Sequence, residues 1–399
     1  MSRRRMHALG AGIGLLLASP AAAQQAALLP PYAGVYQPKG VDEVGLWHED
    51  DEDERQLAAS NVLIRDERLT GYLKSVLCDT VGKDRCGAVR IYVLRCPVFN
   101  ASMSPNGTMR VYSGLFLRVR NEAELGMVLG HEFGHFERRH SLAGFRARRS
   151  GSDAAAWLAV LAGTAATYTT MSSYQNVQLA VYGGIYRHDR DQEREADRLG
   201  VAYLNQSHLQ PQAASAVWQH VMEEAEASAS AKGLKKPNFK AIAFADSHPP
   251  DAERAGYLAA LASPDGAGRD DGADRYRAAL APFLGQFLDD QIKLNDFGAS
   301  DYLIQNLATT GWTGTLWCKR GDLYRTRGNP RDLIAAAEFY ANAVKLDPTL
   351  AEAHRGLGLS LMKTGRASEA LVPLQTYLSL RPDAADAGMI KMMIPGESK

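Results

Sequence analysis

The sequence predicts an α+β chain, mainly α, in two parts: a domain combining amphipathic helices with a small sheet, then an all-helical repeat domain. Three observations carry that expectation. The segments around HEFGH (131–135) and DQEREADRLGVAYL (191–204) have helical patterning. Two shorter runs, AVRIYVLRC (88–96) and MRVYSGLF (109–116), alternate and carry β-branched residues, as strands do. Beyond residue 272, small and aromatic residues recur at the spacing of a helical repeat. With 399 residues the chain is long enough for a sizeable core and two domains.

At the start, Arg3, Arg4 and Arg5 precede an apolar LGAGIGLLLA (9–18) and the small residues Ala21, Ala22 and Ala23, the pattern of a secretory signal cleaved before Gln24. The apolar stretch is short for a bilayer span, and no cysteine follows the cleavage point to carry a lipid. The formal charge is zero, and removing the three arginines leaves −3. A nearly neutral chain without a basic patch interleaved with aromatics is not built for nucleic acid. A Pro-rich stretch to Lys39 reads as extended. HEDDEDER (48–55) reads as a solvated helix face leading into Leu57, Val62 and Leu63.

Cys78 and Cys86 flank a short polar turn and form the natural disulfide pair in an oxidising compartment. Cys96 and Cys318 read as buried thiols, and no C-x-x-C occurs to suggest a cysteine-rich zinc site. Between the two strand runs, NASMSPNG (100–107) contains Pro-Asn-Gly and reads as a turn, so an ordinary hairpin is one expectation here.

The helix carrying HEFGH has an acidic first turn (Glu122, Glu124), an apolar face (Leu125, Val128, Leu129, Phe133) and basic Arg138 and Arg139 at its far end, an order that suits the helix dipole. Residues four apart on a helix are separated by about 400° of rotation, so His131 and His135 project from one side. Two imidazoles so placed can bind one metal ion, with Glu132 one step round beside the site for water. One zinc ion with an open position needs a third protein ligand. His140 is a poor candidate on a continuous helix, because nine residues make about 900° and turn it away. The metzincin spacing also fails, since Arg138 and Ser141 stand where glycine and histidine are expected. Glu193 is the better candidate. It shares a helix face with Asp197, which would accept a hydrogen bond from a metal-bound imidazole. Glu195 points about 200° away, toward solvent.

DAAAWLAVLAGTAATYTTM (153–171) is the most apolar internal stretch. Its small and polar residues suit a helix packed beside the site or resting on a membrane surface better than a full span. The chain turns polar from Ala229 to Ala245, passes through a loop with His248, and forms a helix to about Ala262. SPDGAGRDDG (263–272) is a linker by composition. Gly358, Leu361, Ala370, Leu374, Tyr377 and Pro382 then match the tetratricopeptide pattern, and Gly321, Tyr324, Ala336, Tyr340, Ala343 and Pro348 repeat it. Helical pieces at 273–309 add a degenerate pair. These helices either cap the first domain or form a partner-binding groove.

HEFGHFERRH (131–140), EREADRLG (193–200) and DSHPPDAER (246–254) together resemble the gluzincin family that includes the CAAX prenyl proteases and the HtpX-like membrane proteases. The layout is most similar to the periplasmic, repeat-bearing members that enhance β-barrel assembly. The resemblance covers roughly 42–262 for the protease and 314–384 for the repeats. It implies a signal peptide at 1–23, an extended segment at 24–41, a zinc metalloprotease domain at 42–262, a linker at 263–272 and tetratricopeptide repeats at 273–399.

It also implies a periplasmic zinc endopeptidase of a Gram-negative bacterium with one Zn2+ per chain. The ion would be held by His131, His135 and Glu193, with Glu132 as general base and Asp197 behind the ligands. Polypeptide substrates, misfolded or stalled envelope proteins, would add a strand to an edge of the small sheet near residues 100–107. The H-P-(x)4-R stretch offers His248 and Arg254 as donors to the developing oxyanion. Alternatively His248 ligates zinc and holds the enzyme latent. Peripheral membrane contact is compatible with the apolar stretch. The repeats would recruit a protein of outer-membrane assembly. The competing expectation is a repeat-based chaperone or scaffold whose zinc site is latent or structural; the intact Glu132 speaks against it.

Overall fold

A computed structural model describes residues 30–34, 36–149, 190–239 and 251–394. The expected signal peptide, the apolar stretch 153–171 and His248 lie outside the described residues. Among those residues the chain is mainly helical with one four-stranded sheet. No described helix is long and apolar enough to cross a membrane.

The chain enters through α1 (Gly40–Ala59) and the short β1 (Leu63–Ile64). α2 (Glu67–Val81) follows, capped by Asp66, whose side chain accepts from the Arg68 and Leu69 amides. Its buried Leu69, Leu73, Val76, Leu77 and Val81 form one helical stripe. The acidic run of α1, expected to be a solvated face, faces the sheet in part. Glu54 accepts from Arg90 at 2.5 Å and from Tyr92 at 2.8 Å, Asp51 accepts from Asn106, and Asp50 is buried. The strand arginine and the turn asparagine supply the partners that hold these carboxylates against the protein.

β2 (Arg90–Leu94), β3 (Ala101–Met103) and β4 (Thr108–Tyr112) complete the sheet, in the order β1-β2-β4-β3. The two strands read from sequence are not the arms of one hairpin. β2 and β4 are parallel neighbours, in register from Arg90 against Thr108 to Leu94 against Tyr112. The segment expected to be a turn contains β3, which pairs antiparallel with β4 and leaves the sheet an edge there. The hairpin is therefore β3–β4. Its turn needs Gly107, where φ is +91° and a Cβ would meet the Ala88 carbonyl oxygen at 2.5 Å. The sulfurs of Cys78 and Cys86 lie at bonding distance; Cys318 is buried and Cys96 partly so.

α3 (Glu122–Arg138) and α4 (His140–Arg149) come next, then α5 (Arg190–Gln206), α6 (Ala213–Ala231) and α7 (Asp251–Leu261). The remaining helices are α8 (Ala273–Ile292), α9 (Phe297–Leu307), α10 (Gly314–Arg327), α11 (Pro330–Leu346), α12 (Ala351–Lys363), α13 (Ala367–Leu380) and α14 (Ala387–Met393). Equivalent small–large contacts recur in successive helix pairs. A Cβ on Gly321 would meet the Tyr340 ring at 2.7 Å, and one on Gly358 would meet Leu374 at 2.5 Å.

Segment 263–272, a linker by composition, is bound along its length. Arg269 donates to the carbonyls of Leu204, Asn205 and Ser207, and the Ala123 amide donates to Asp271. The main hydrophobic cluster runs from α2, the sheet and α3 into Tyr276, Phe287, Leu303, Leu316 and Leu323, so α8–α10 share a core with the helices of the site.

Candidate active site

Close packing of two helices creates the site. α3 carries a glycine every fourth residue, Gly126, Gly130 and Gly134, and this stripe lies against α5. A Cβ on Gly134 would stand 3.3 Å from the Ala196 Cα, and one on Gly130 3.6 Å from the Gly200 Cα. At that separation short carboxylate side chains on α5 reach the imidazoles of α3. Asn121 caps α3 by accepting from the Glu124 amide, and the Glu124 side chain accepts from the Arg120 amide, which fixes the start of the helix.

His131, His135 and Glu193 converge, all three buried. His131 Nε2 and His135 Nε2 are 3.1 Å apart, and the Glu193 oxygens lie 3.3 Å from the latter and 3.6 Å from the former. Ligands about 2.0–2.1 Å from a tetrahedral zinc ion stand about 3.3 Å from one another, so these separations match what zinc requires. The charge agrees as well. Burial opposes protonation of His131, yet Asp197 and Glu193 outweigh it and push its pKa up to about 10. A pocket that attracts a proton so strongly is set for a cation.

Asp197 accepts from His131 Nδ1 at 2.8 Å, which turns Nε2 toward Glu193. Asp197 is itself held by Arg254, whose Nε and Nη2 donate at 2.9 and 2.6 Å, and by the Tyr257 hydroxyl. Burial pushes its carboxyl up, but Arg254 and His131 outweigh burial and hold it well below the usual carboxylate range. Arg254, read from sequence as an oxyanion donor, is buried with two of its nitrogens on Asp197 and also lines the cavity that Glu132 faces. Its guanidinium also sits 3.5 Å from the centroid of the Trp218 ring.

Glu132 faces a cavity of about 180 Å³ lined by Phe99, Leu115, Val128, Val217 and Trp218 on its apolar sides, with Ala101 of the edge strand β3 on its rim. Desolvation by these walls pushes the Glu132 carboxyl up to about 7. A carboxyl so poised exchanges a proton near neutrality.

His140, set aside on the sequence, is buried against the site: its Nδ1 lies 2.9 Å from His135 Nδ1. Rotation counted along a continuous helix misplaces it, because α3 ends at Arg138 and the next residue, Arg139, lies in the left-handed region at φ +54°. Glu195 does not simply meet solvent either; it pairs with Arg138 at 3.0 Å and His140 at 3.4 Å. Trp218 and Tyr257 carry no motif and could not be found by spacing.

The peptidase family M48 model matches residues 66–262. The chain is 29% identical over 164 residues to the mitochondrial metalloendopeptidase OMA1 of Schizosaccharomyces pombe, covering 41% of this chain and 44% of that protein. It is 27% identical over 182 residues to the beta-barrel assembly-enhancing protease of Escherichia coli, covering 44% and 37%. To the metalloprotease YcaL of the same organism it is 33% identical over 159 residues, covering 40% and 56%. Each match spans less than two thirds of the relative's own length. By sequence similarity, residues 66–262, just under half of the chain, carry the peptidase family M48 domain of a metalloprotease.

Proposed function

We propose that this protein is a zinc-dependent endopeptidase of the bacterial periplasm that degrades misfolded or stalled envelope proteins. One observation carries the reading: two imidazole nitrogens and a carboxylate stand at zinc-ligand separations, with Glu132 beside them on an open cavity. His131, His135 and Glu193 would hold the ion. When bound, zinc would supply Lewis acidity toward a scissile carbonyl and an attacking water. Glu132 would take a proton from the attacking water and deliver it to the leaving amine. Asp197, fixed by Arg254 and Tyr257, keeps the His131 ring in one tautomer and one orientation.

Polypeptide is the substrate class. The sheet edge at β3, which no other described strand covers, would let an extended chain pair through its backbone, and the apolar walls around Phe99 and Trp218 would receive a side chain next to the scissile bond. His248 serves either as donor to the developing oxyanion or as a latch. Replacing it with alanine lowers activity in the first case and raises it in the second.

The periplasmic assignment rests on the leader at 1–23 and on the names of the relatives, one of which is a beta-barrel assembly-enhancing protease. We assign α10–α13 to tetratricopeptide repeats that recruit outer-membrane assembly proteins. A cleft lined by Lys319, Arg325, Leu350, Glu352 and Arg381 is their docking surface. Arg381→Glu in the full chain should reduce crosslinking to that machinery in cells, and unchanged crosslinking argues against recruitment.

The central test is Glu132→Gln. It should abolish cleavage of an unfolded casein-type substrate while leaving one zinc per chain by metal analysis. Cleavage at the wild-type rate would sink the mechanism.

A further inference from the structure

We propose that His140 is a positioning residue for His135, completing a His135–His140–Glu195 relay that fixes the second imidazole of the metal site. The inference rests on the reading of His131, His135 and Glu193 as metal ligands. His135 turns Nε2 toward Glu193 and His131, so its proton belongs on Nδ1. That N–H points at His140 Nδ1, 2.9 Å away, which must then accept. An imidazole accepting at Nδ1 carries its own proton on Nε2, and His140 Nε2 lies 3.4 Å from the Glu195 carboxylate. Every donor in this chain meets an acceptor.

The arrangement parallels the His131–Asp197 pair but differs in charge. His131 rests directly on a buried carboxylate, whereas His135 rests on a neutral ring. Glu193 and Asp197 already place two buried carboxylates around the imidazoles, and a further buried carboxylate behind His135 would add repulsion. The relay moves that charge to Glu195, half exposed at the surface and paired with Arg138.

The backbone is committed to this placement. Arg139 and Asn295 alone among the described non-glycine residues have positive φ, and the reversal at Arg139 returns His140 onto His135, with ring centroids 4.9 Å apart. Arg139 is held in turn by the segment before α1 and the first turn of that helix: its guanidinium lies 4.8 Å from the Tyr36 ring centroid and 3.6 Å from Glu43. A strained residue with its own tethers, next to a side chain aimed at a ligand, reads as an arrangement kept for that ligand.

The test uses the full chain stripped of metal and titrated with zinc alone against a competing chelator, with thermal unfolding of each metal-free protein alongside. His140→Leu removes the acceptor and should weaken zinc binding about 10–100-fold. His140→Asn places an oxygen near the Nδ1 position and should bind within about threefold of wild type. Glu195→Ala, at a half-exposed position, should fold normally and bind about threefold more weakly. Unchanged affinity in His140→Leu overturns the proposal, as does an equal loss in His140→Leu and His140→Asn accompanied by lower melting temperatures. Should His140→Leu not fold, Glu195→Ala decides: weakened binding supports the relay and wild-type binding overturns it. Tight zinc binding by a wild-type protein that cleaves nothing would remove the endopeptidase reading and leave this one standing.

Discussion

Arg254 sits over the indole of Trp218, its guanidinium carbon 3.5 Å from the ring centroid, while its Nε and Nη2 grip Asp197. One side chain of α7 thus joins an aromatic of α6 to a carboxylate of α5, and through it to His131 on α3. Arg254→Leu leaves the buried Asp197 carboxylate without its guanidinium partner, with His131 and the Tyr257 hydroxyl still on it. Breaking a buried pair from one side costs about 3–5 kcal/mol. The metal-free variant should lose roughly that much in urea unfolding. Trp218→Leu keeps the ion pair and removes the ring, and should lose about 1–2 kcal/mol. A Trp218 loss as large as the Arg254 loss would place the stabilisation in packing instead of charge.

The glycine stripe of α3 makes a second prediction. A Cβ on Gly134 stands 3.3 Å from both the Ala196 Cα and the Leu199 Cβ, contacts that leave no room for a larger side chain. Gly134→Val should therefore force α3 and α5 apart and cost about 1–3 kcal/mol. It should weaken zinc binding too, because Glu193 rides on the displaced helix. Gly256, exposed on α7 with nothing within 4 Å of its would-be Cβ, is the matched control. Gly256→Ala should stabilise by about 0.5–1 kcal/mol and leave zinc affinity unchanged. Melting curves and a chelator titration on both variants check this.

Much of this site was legible because its chemistry is local. His131, Glu132 and His135 lie within one turn and a half of a helix, and the i, i+4 pair Glu193 and Asp197 declares its shared face. Other features required non-local information. His140 was turned away by counting rotation through a residue that does not continue the helix. The signal was present, since Arg138 and Arg139 form the basic end expected of a helix C-terminus, where such counting stops. The strand runs were readable from alternation, yet their parallel pairing was not, because strand order depends on where the chain crosses. Trp218 and Tyr257 reach Asp197 from separate helices, and no spacing rule connects them.

Arg95 joins the sheet end to α8 through Asp290, with donor distances of 2.5 and 2.9 Å. Burial pushes the Asp290 carboxyl up, but hydrogen bonds from Arg95 and Lys293 outweigh burial and hold it below the usual carboxylate range. With a folded pKa depressed below 3.8, the stabilisation is complete above that value and fades as pH falls through the lower folded value. Because Arg95 is 41% exposed, solvent screening limits the pair to about 1 kcal/mol. Urea midpoints of wild type and Arg95→Ala should differ by a constant gap from pH 7 to about pH 4 and converge in more acidic buffer. A gap that widens with acid would contradict the assignment.

Tyr340 is wedged between two helices that both present glycine. A Cβ on Gly321 of α10 would meet its ring at 2.7 Å, and one on Gly356 of α12 at 2.3 Å. Its hydroxyl donates to Asp322 at 2.7 Å and accepts from Arg325 at 3.0 Å, so the ring cannot swing aside without breaking both bonds. Gly356→Ala, chemically the smallest change available, should therefore cost about 1–3 kcal/mol or more, an overpacking penalty to which any loss of these two hydrogen bonds adds. Gly356→Ala combined with Tyr340→Leu should recover part of that stability, because the shorter side chain vacates the space; two residues in contact are expected to couple in this way. The paired measurement is urea unfolding with zinc titration. Stability should fall in the single variant and rise again in the double, while zinc affinity stays at the wild-type value in both, since neither residue touches α3 or α5. A matching loss of zinc affinity would mean that strain in the helical pairs travels through the shared core of α8–α10 to the site.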